Sequence, residues 1–388
     1  MSRFSALYIH VPFCRRKCGY CSFISFAGRE EDRAQYITAL CHELRQRLDG
    51  QRLTSIFFGG GTPSLLPLAD IESILETVSR YADIAPDAEI SLEANPGTIG
   101  AAYVTGLRSL GVNRLSLGVQ SFDNKELAVI GRIHSTEQAK QAVDDARRAG
   151  FDNLNIDLIY GLPGQDLADW RRNLEQAIGL RPEHLSLYAL SLEPECPMSL
   201  AIGDGRLPDL DADLAADMYQ SAEDSLAAAG YRHYEISNWA KSGYECRHNL
   251  VYWHNQPYLG AGAAAHSLLE GRRLANTDSL DDYLRAHAAG GMLPPVMDER
   301  ITPELRLAES VILGLRLAEG VDIAMVNNDF DTDIVELYRG PIEDMKDAGL
   351  LEQSEGNLRL TRRGRLLSNE VFWRLLPEET AAATGGNV

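Results

Sequence analysis

The sequence predicts an α/β fold: an incomplete barrel of six β/α units, followed by a smaller winged-helix-like α+β domain. Three observations carry this. Over residues 1–235, short β-branched or apolar runs alternate with amphipathic stretches, as the strands and crossover helices of a parallel sheet must. Polar residues and glycines gather where those strands end, which is where a barrel carries its functional loops. From about residue 300 the order changes to helices followed by one hairpin. A chain of 388 residues, 45% of them hydrophobic, is long enough to bury the cores of two or three such units.

The strands follow in order. LYIHV (7–11) opens the sheet, and SIFF (55–58), EISLE (89–93), RLSLGVQ (114–120), NLNIDLIY (153–160) and HLSLYALSL (184–192) come one per unit. Between them, EDRAQYITALCHELRQRL and STEQAKQAVDDARRAG carry apolar residues at helical spacing and end near glycine. Residues 236–299 lose the repeat and read as a connector rich in Gly, Ala and aromatics. In residues 300–376, ITPELRLAESVILGLRLAEG and PIEDMKDAG read as helices, and LLEQSEGNLRLT as a hairpin turning at Glu355-Gly356-Asn357. Residues 377–388 are predicted to be a disordered tail.

The formal net charge of −19, with no long basic block, argues against a nucleic-acid partner, and TRRGRLL is better suited to packing or docking than to DNA. MSRFSALYIHV runs straight into a strand without the features of a secretory signal. Nor does any apolar run reach the roughly 18 residues a membrane span needs. The expected location is therefore the cytoplasm, with no transmembrane segment. Three of six cysteines fall within eight positions, a spacing that in a reducing compartment points to metal or redox chemistry rather than disulfides.

Those three, Cys14, Cys18 and Cys21, form C-x3-C-x2-C. Each thiolate can take one iron of a cubane and leave the fourth iron open. Arg15, Arg16 and Lys17 between them would offset the cluster's negative charge. A zinc site or a metal-free trio is the alternative on spacing alone. Gly59, Gly60, Gly61 and Thr62 follow the second strand without the Lys-Ser/Thr ending of a phosphate loop. Glu93 closes the third strand, Gln120 the fourth, and Asp157 lies in the fifth. Gln120 and Asp157 suit either a ligand or the hydrogen bonding of a barrel interior.

The cysteine spacing, with an aromatic before the last cysteine, resembles the signature of the radical-SAM superfamily. LYIHVPFCRRKCGYCSF, then GGGTP, SLEANP, GVQSF, GR and NIDLIYGLPGQ, resemble in order the oxygen-independent coproporphyrinogen III dehydrogenases and their relatives, over nearly the whole chain. The resemblance implies a radical-SAM barrel with a [4Fe-4S] cluster on Cys14, Cys18 and Cys21. It also implies S-adenosylmethionine surrounded by Tyr8, Gly61, Thr62, Glu93, Gln120, Arg132 and Asp157. Arg132 would face the methionyl carboxylate, the Gly60–Gly61 backbone its ammonium, and Glu93 or Asp157 the ribose hydroxyls.

Two departures separate the chain from the dehydrogenases: Phe23 stands where they carry a fourth cysteine, and only about six residues precede the first strand. The acidic chain also offers no evident cation cluster for a tetra-anionic substrate. His248-Asn249-Leu250-Val251-Tyr252-Trp253 instead resembles a motif of the HemW-type haem chaperones. By that resemblance haem joins the cofactors, with an imidazole from His248 and flat surface from Tyr252 and Trp253. Cys246, His254 and His266 are rival ligands, and on residues alone the segment reads as core packing. The implied function is a chaperone delivering haem to respiratory haem proteins, with peripheral membrane contact and a homodimer left open. The alternative is an anaerobic coproporphyrinogen III dehydrogenase or related tetrapyrrole-modifying enzyme. His42 and His287, in helical stretches, are expected to be solvated.

Overall fold

The computed structural model describes residues 4–288, 290–291 and 294–377, so the predicted tail, Pro377 excepted, lies outside the described residues. Six strands, β1 (Ala6–Val11), β2 (Arg52–Gly60), β3 (Asp83–Ala94), β4 (Arg114–Gln120), β5 (Leu154–Tyr160) and β6 (His184–Ala189), lie side by side in chain order and parallel. The pleat sorts their side chains. Leu7, Ile9, Ile56, Phe58, Leu92, Leu115, Ile156 and Leu185 face outward into one apolar core beneath the crossover helices. Alternate residues face the lumen and are polar although buried: Ser55, Glu89, Ser91, Arg114, Ser116, Asn155 and His184.

Local signals fix the helices. Thr136–Arg148 starts at a capping box between Ser135 and Gln138, and Leu167–Gly179 at one between Asp166 and Asp169, each satisfying backbone donors that a helix start leaves open. The sixth strand ends at Ala189, short of the predicted 192.

The segment expected to be a connector instead extends the sheet at both edges. A hairpin of β7 (Arg232–Glu235) and β8 (Asn238–Ala240), which crosses the expected boundary at residue 235, pairs antiparallel with β6. Strand β9 (Tyr258–Ala261) pairs parallel with β1, and β10 (His266–Leu269), β11 (Arg272–Ala275) and β12 (Met297–Arg300) follow antiparallel, giving a sheet of twelve strands. These strands are four residues or shorter, so no period-2 pattern announces them.

The C-terminal unit has helices Pro303–Gly314, Ile323–Phe330 and Arg339–Asp347 and a three-stranded sheet, in which β15 (Asn357–Leu360) lies between β13 (Val321–Asp322) and β14 (Leu351–Ser354). It has its own core, including Val311, Leu315, Ile334 and Leu358. The basic patch is used within the chain: Arg362 and Arg365 both pair with Glu223 on helix Ala212–Ala228 of the barrel. A bridge between Glu235 and Leu317 joins the two units edge to edge.

Candidate functional site

Residues 14–25 form a lobe above the C-terminal end of β1. Its base is closed by pairing of Phe13–Cys14 with Phe26–Ala27, and by His10, whose Nδ1 and Nε2 meet the Tyr8 hydroxyl (3.1 Å) and the Ile24 carbonyl (3.0 Å). Burial foremost keeps His10 below its usual pKa, so the ring is a neutral strut that accepts from one side and donates to the other. The far side of the lobe rests on the Gly131-Arg132 loop, where Cys18 Sγ approaches the Gly131 carbonyl (4.0 Å) and Arg132 Nη1 (3.8 Å). Met198 N–H donates to the Gly19 carbonyl at 3.0 Å. Burial foremost raises the Cys21 thiol, a backbone hydrogen bond at Phe23 opposes this, and the neighbouring Cys18 and Cys14 push the same way as burial.

Gly60, the last residue of β2, and Gly61 after it make this seat. Gly60 has φ +110°, which a side chain rarely adopts, and a Cβ there would meet the His10 ring at 2.7 Å. At Gly61 a Cβ would lie 2.7 Å from the Phe13 carbonyl oxygen and 3.1 Å from Cys14 Sγ. The three glycines are therefore crowded for different reasons: Gly59 by the Tyr8 and Phe57 rings, Gly60 by the His10 ring, and Gly61 by the chain that carries Cys14.

Below the lobe opens a cavity of about 350 Å3, lined by all three cysteines together with Gly61, Thr62, Glu93, Gln120, Arg132 and Asp157. Tyr8 does not line it; its hydroxyl bonds His10 and its ring stacks on Phe57 (centroids 6.3 Å apart). Gln120 adopts φ +69°, a left-handed conformation costing a non-glycine residue about 1–2 kcal/mol. Strain of this kind concentrates at functional sites. Gln120 Oε1 and Arg132 Nε are buried without a partner among the described residues, while Arg132 Nη2 is held by the Gly118 carbonyl at 2.6 Å. An acceptor and a donor thus stand unsatisfied beside the same cavity. Tyr188, 43% exposed, also lines it, and sequence reasoning missed it because it reads as one more aromatic in a strand.

Burial foremost, then the negative charge of Asp157, raises the Glu93 carboxyl from 4.5 to about 8, and a backbone hydrogen bond at Gly60 only partly opposes this. The folded chain therefore holds a proton that the unfolded chain releases between pH 4.5 and about 8. Stability contributed by the neutral carboxyl is full below that window and is lost as pH rises through it. In urea unfolding of the ligand-free protein, Glu93→Gln should match wild type near pH 4.5 and be the more stable at pH 8. Parallel wild-type and variant curves across the window would refute this.

The segment that resembles the haem motif forms helix Arg247–Trp253, packed against β2. The buried Glu89 carboxylate of β3 accepts from the N–H groups of Arg247 (3.0 Å) and His248 (3.3 Å) at its start, a favourable place for an anion. His248 is 1% exposed, and both its nitrogens are engaged: Nδ1 with Ser55 Oγ at 3.0 Å and Nε2 with the Tyr252 hydroxyl at 2.8 Å. Burial foremost, then the charge of Arg114, pushes it down to about 3, a neutral ring. Trp253 lies at the other end of the helix under the Arg316 guanidinium, and Tyr252 packs edge-on against Tyr258. Of the rival ligands, Cys246 is buried, with its thiol pushed up to about 12 mainly by burial, whereas His254 and His266 are exposed. His42 and His287, expected in solvent, meet each other Nδ1 to Nδ1 at 3.1 Å, because Leu280–Ala288 packs on Arg33–Arg47.

Residues 8–177 match the model of the radical SAM superfamily, and residues 301–367 that of the HemN C-terminal domain. Heme chaperone HemW of Synechocystis is 41% identical over 332 residues, 83% of this chain and 80% of that protein. Heme chaperone HemW of Bacillus subtilis is 36% identical over 376 residues, 96% of this chain and 99% of that protein. Among solved structures, the radical SAM enzyme coproporphyrinogen III oxidase (HemN) of Escherichia coli superposes with a TM-score of 0.84 at 26% identity, covering 96% of this chain and 90% of that one. The superfamily implies a [4Fe-4S] cluster and S-adenosylmethionine, and the residues here fit them. Three thiols stand on one lobe, the unsatisfied Gln120 Oε1 and Arg132 Nε flank the cavity, and its floor is acidic. A cubane takes one thiolate per iron. Among the described residues, no group of three or more His, Cys, Asp or Glu side chains is placed to hold a single metal ion. The chain belongs to the HemW family of the radical SAM superfamily.

Proposed function

We propose that this protein is a haem chaperone that carries haem beside a cluster liganded by S-adenosylmethionine and passes the haem to respiratory haem proteins. The end-to-end match to proteins named as heme chaperones carries the proposal. The barrel alone does not decide it, since a coproporphyrinogen oxidase shares that fold. Phe23 tips the balance: it stands 66% exposed on the lobe where the dehydrogenases are expected to carry a further cysteine.

In this proposal Cys14, Cys18 and Cys21 hold the irons, and the bound cluster with its S-adenosylmethionine supplies one-electron chemistry. Arg132 and Gln120 offer the donor and the acceptor left open beside the cavity, Gly61 and Thr62 frame it, and Glu93 and Asp157 accept from hydroxyls. Tyr8 acts from behind, setting His10 and so the base of the lobe. Haem would use the face carrying Tyr252 and Trp253. Ligation by His248 would require the Tyr252 hydroxyl to release Nε2, whereas the exposed His254 needs no such opening. Cytoplasmic residence is part of the proposal; among the described residues no helix is long and apolar enough to cross a membrane.

The test pairs two anaerobic assays on one preparation. Haem titration is expected to give a saturable Soret band, which His248→Ala or His254→Ala shifts according to which one ligates, with iron and sulfide content unchanged. Coproporphyrinogen III is expected to release no CO2. Absence of haem binding together with stoichiometric CO2 release would replace the chaperone with the dehydrogenase.

A further inference from the structure

Where the C-terminal unit meets the barrel, several buried polar groups lack partners among the described residues. Arg316, just beyond helix Pro303–Gly314, lays its guanidinium 4.4 Å from the centre of the Trp253 ring. Its Nε is buried without an acceptor, and no carboxylate pairs with it, although Arg362 and Arg365 of the same unit both find Glu223. Trp253 Nε1 is buried and also lacks an acceptor. Burial foremost lowers the Arg316 pKa, and Glu235 only partly offsets this from beyond ion-pairing range. A largely desolvated cation whose nearest carboxylate stays outside ion-pairing range is only partly compensated, which is costly.

Its place in the fold is fixed and close to the cavity. The Arg316 carbonyl accepts from the Ile236 N–H at 3.1 Å, which ties it to the β7–β8 hairpin. Tyr188 lines the cluster cavity and is near enough to Arg316 to help hold its charge.

We propose that Arg316, backed by the Trp253 ring, is a subsite for one carboxylate of the tetrapyrrole cargo. This rests on the haem-carrier function proposed above. A guanidinium presents parallel N–H donors matched to a carboxylate, and the indole N–H beside it adds another. The indole face holds the guanidinium plane, so little side-chain entropy is lost on binding.

Anaerobically reconstituted full-length protein would be titrated with haemin and with haemin dimethyl ester, whose propionates carry no charge. Wild type is expected to bind the ester about tenfold or more weakly, the scale of one charge-assisted contact. Arg316→Gln should weaken haemin binding by a similar factor, bind the two ligands alike and keep full iron and sulfide. Arg316→Lys should recover part of the preference. Equal wild-type affinity for haemin and its ester overturns the subsite without any variant, as does an Arg316→Gln protein with the wild-type preference, and both leave the haem-carrier function standing. Wild type that binds neither ligand overturns both.

Discussion

Single replacement of Cys14, Cys18 or Cys21 by serine is expected to take anaerobically reconstituted protein from about four iron and four sulfide per chain to background. The size of the loss follows from the ligand count. A cubane held by three thiolates has no spare protein ligand, and its fourth iron is already committed to a non-protein ligand. Nothing in the lobe can step in, because Ser22 and Phe23, next along the chain, point no thiol, imidazole or carboxylate at the cavity. The other cysteines have different work. Cys41 packs in the core on Arg33–Arg47, and Cys196 accepts from the Ser199 N–H at the start of Pro197–Gly203. Cys41→Ser and Cys196→Ser should therefore keep the full iron complement, with at most a stability loss. Iron and sulfide analysis beside the cluster's visible absorbance decides it. One zinc per chain with no sulfide, in wild type reconstituted under the same conditions, would show the lobe to be a zinc site.

What could be read from the sequence was what repeats or what chemistry clusters. The six barrel strands were legible because each carries a run of apolar residues long enough to pair and be covered by a helix. The three cysteines were legible because thiols at that spacing have few other uses. Strand β9 was not: Tyr258–Ala261 is four residues containing a glycine, and it is a strand only because β1 offers an open edge. Tyr188 and Arg316 were hidden for a related reason. Each is one ordinary residue in the sequence, and what singles it out, a place on the cavity wall for Tyr188 and a buried Nε without an acceptor for Arg316, is defined by tertiary structure alone. His248 shows the converse. Its motif stood out in the sequence, yet the structure seals the ring between Ser55 and Tyr252, where it also holds helix Arg247–Trp253 to the barrel. A conspicuous pattern names a position and leaves open whether its atoms face a ligand or the core.

The sharpest test of the seat itself changes no ligand at all. Gly61→Val is expected to lower cluster content several-fold although all three cysteines remain. The added Cβ would fall 2.7 Å from the Phe13 carbonyl oxygen and 3.1 Å from Cys14 Sγ, and the first of these is backbone. Neither side can give easily. The Gly61 N–H is bonded to the Val11 carbonyl at 2.8 Å, and the Phe26 N–H to the Pro12 carbonyl at 2.7 Å, which pins both faces of the contact. Overpacking by a side chain typically costs about 1–3 kcal/mol when neighbours can rotate away. Here the neighbour is the chain that places the first cysteine, so relief comes from moving Cys14 and its lobe off the cavity. Gly100→Ala is the control: φ there is an extended −149°, no atom lies within 4 Å of the new Cβ, and cluster content should match wild type. A folded Gly61→Val protein with full iron and sulfide would mean that the lobe is not seated on the glycine loop.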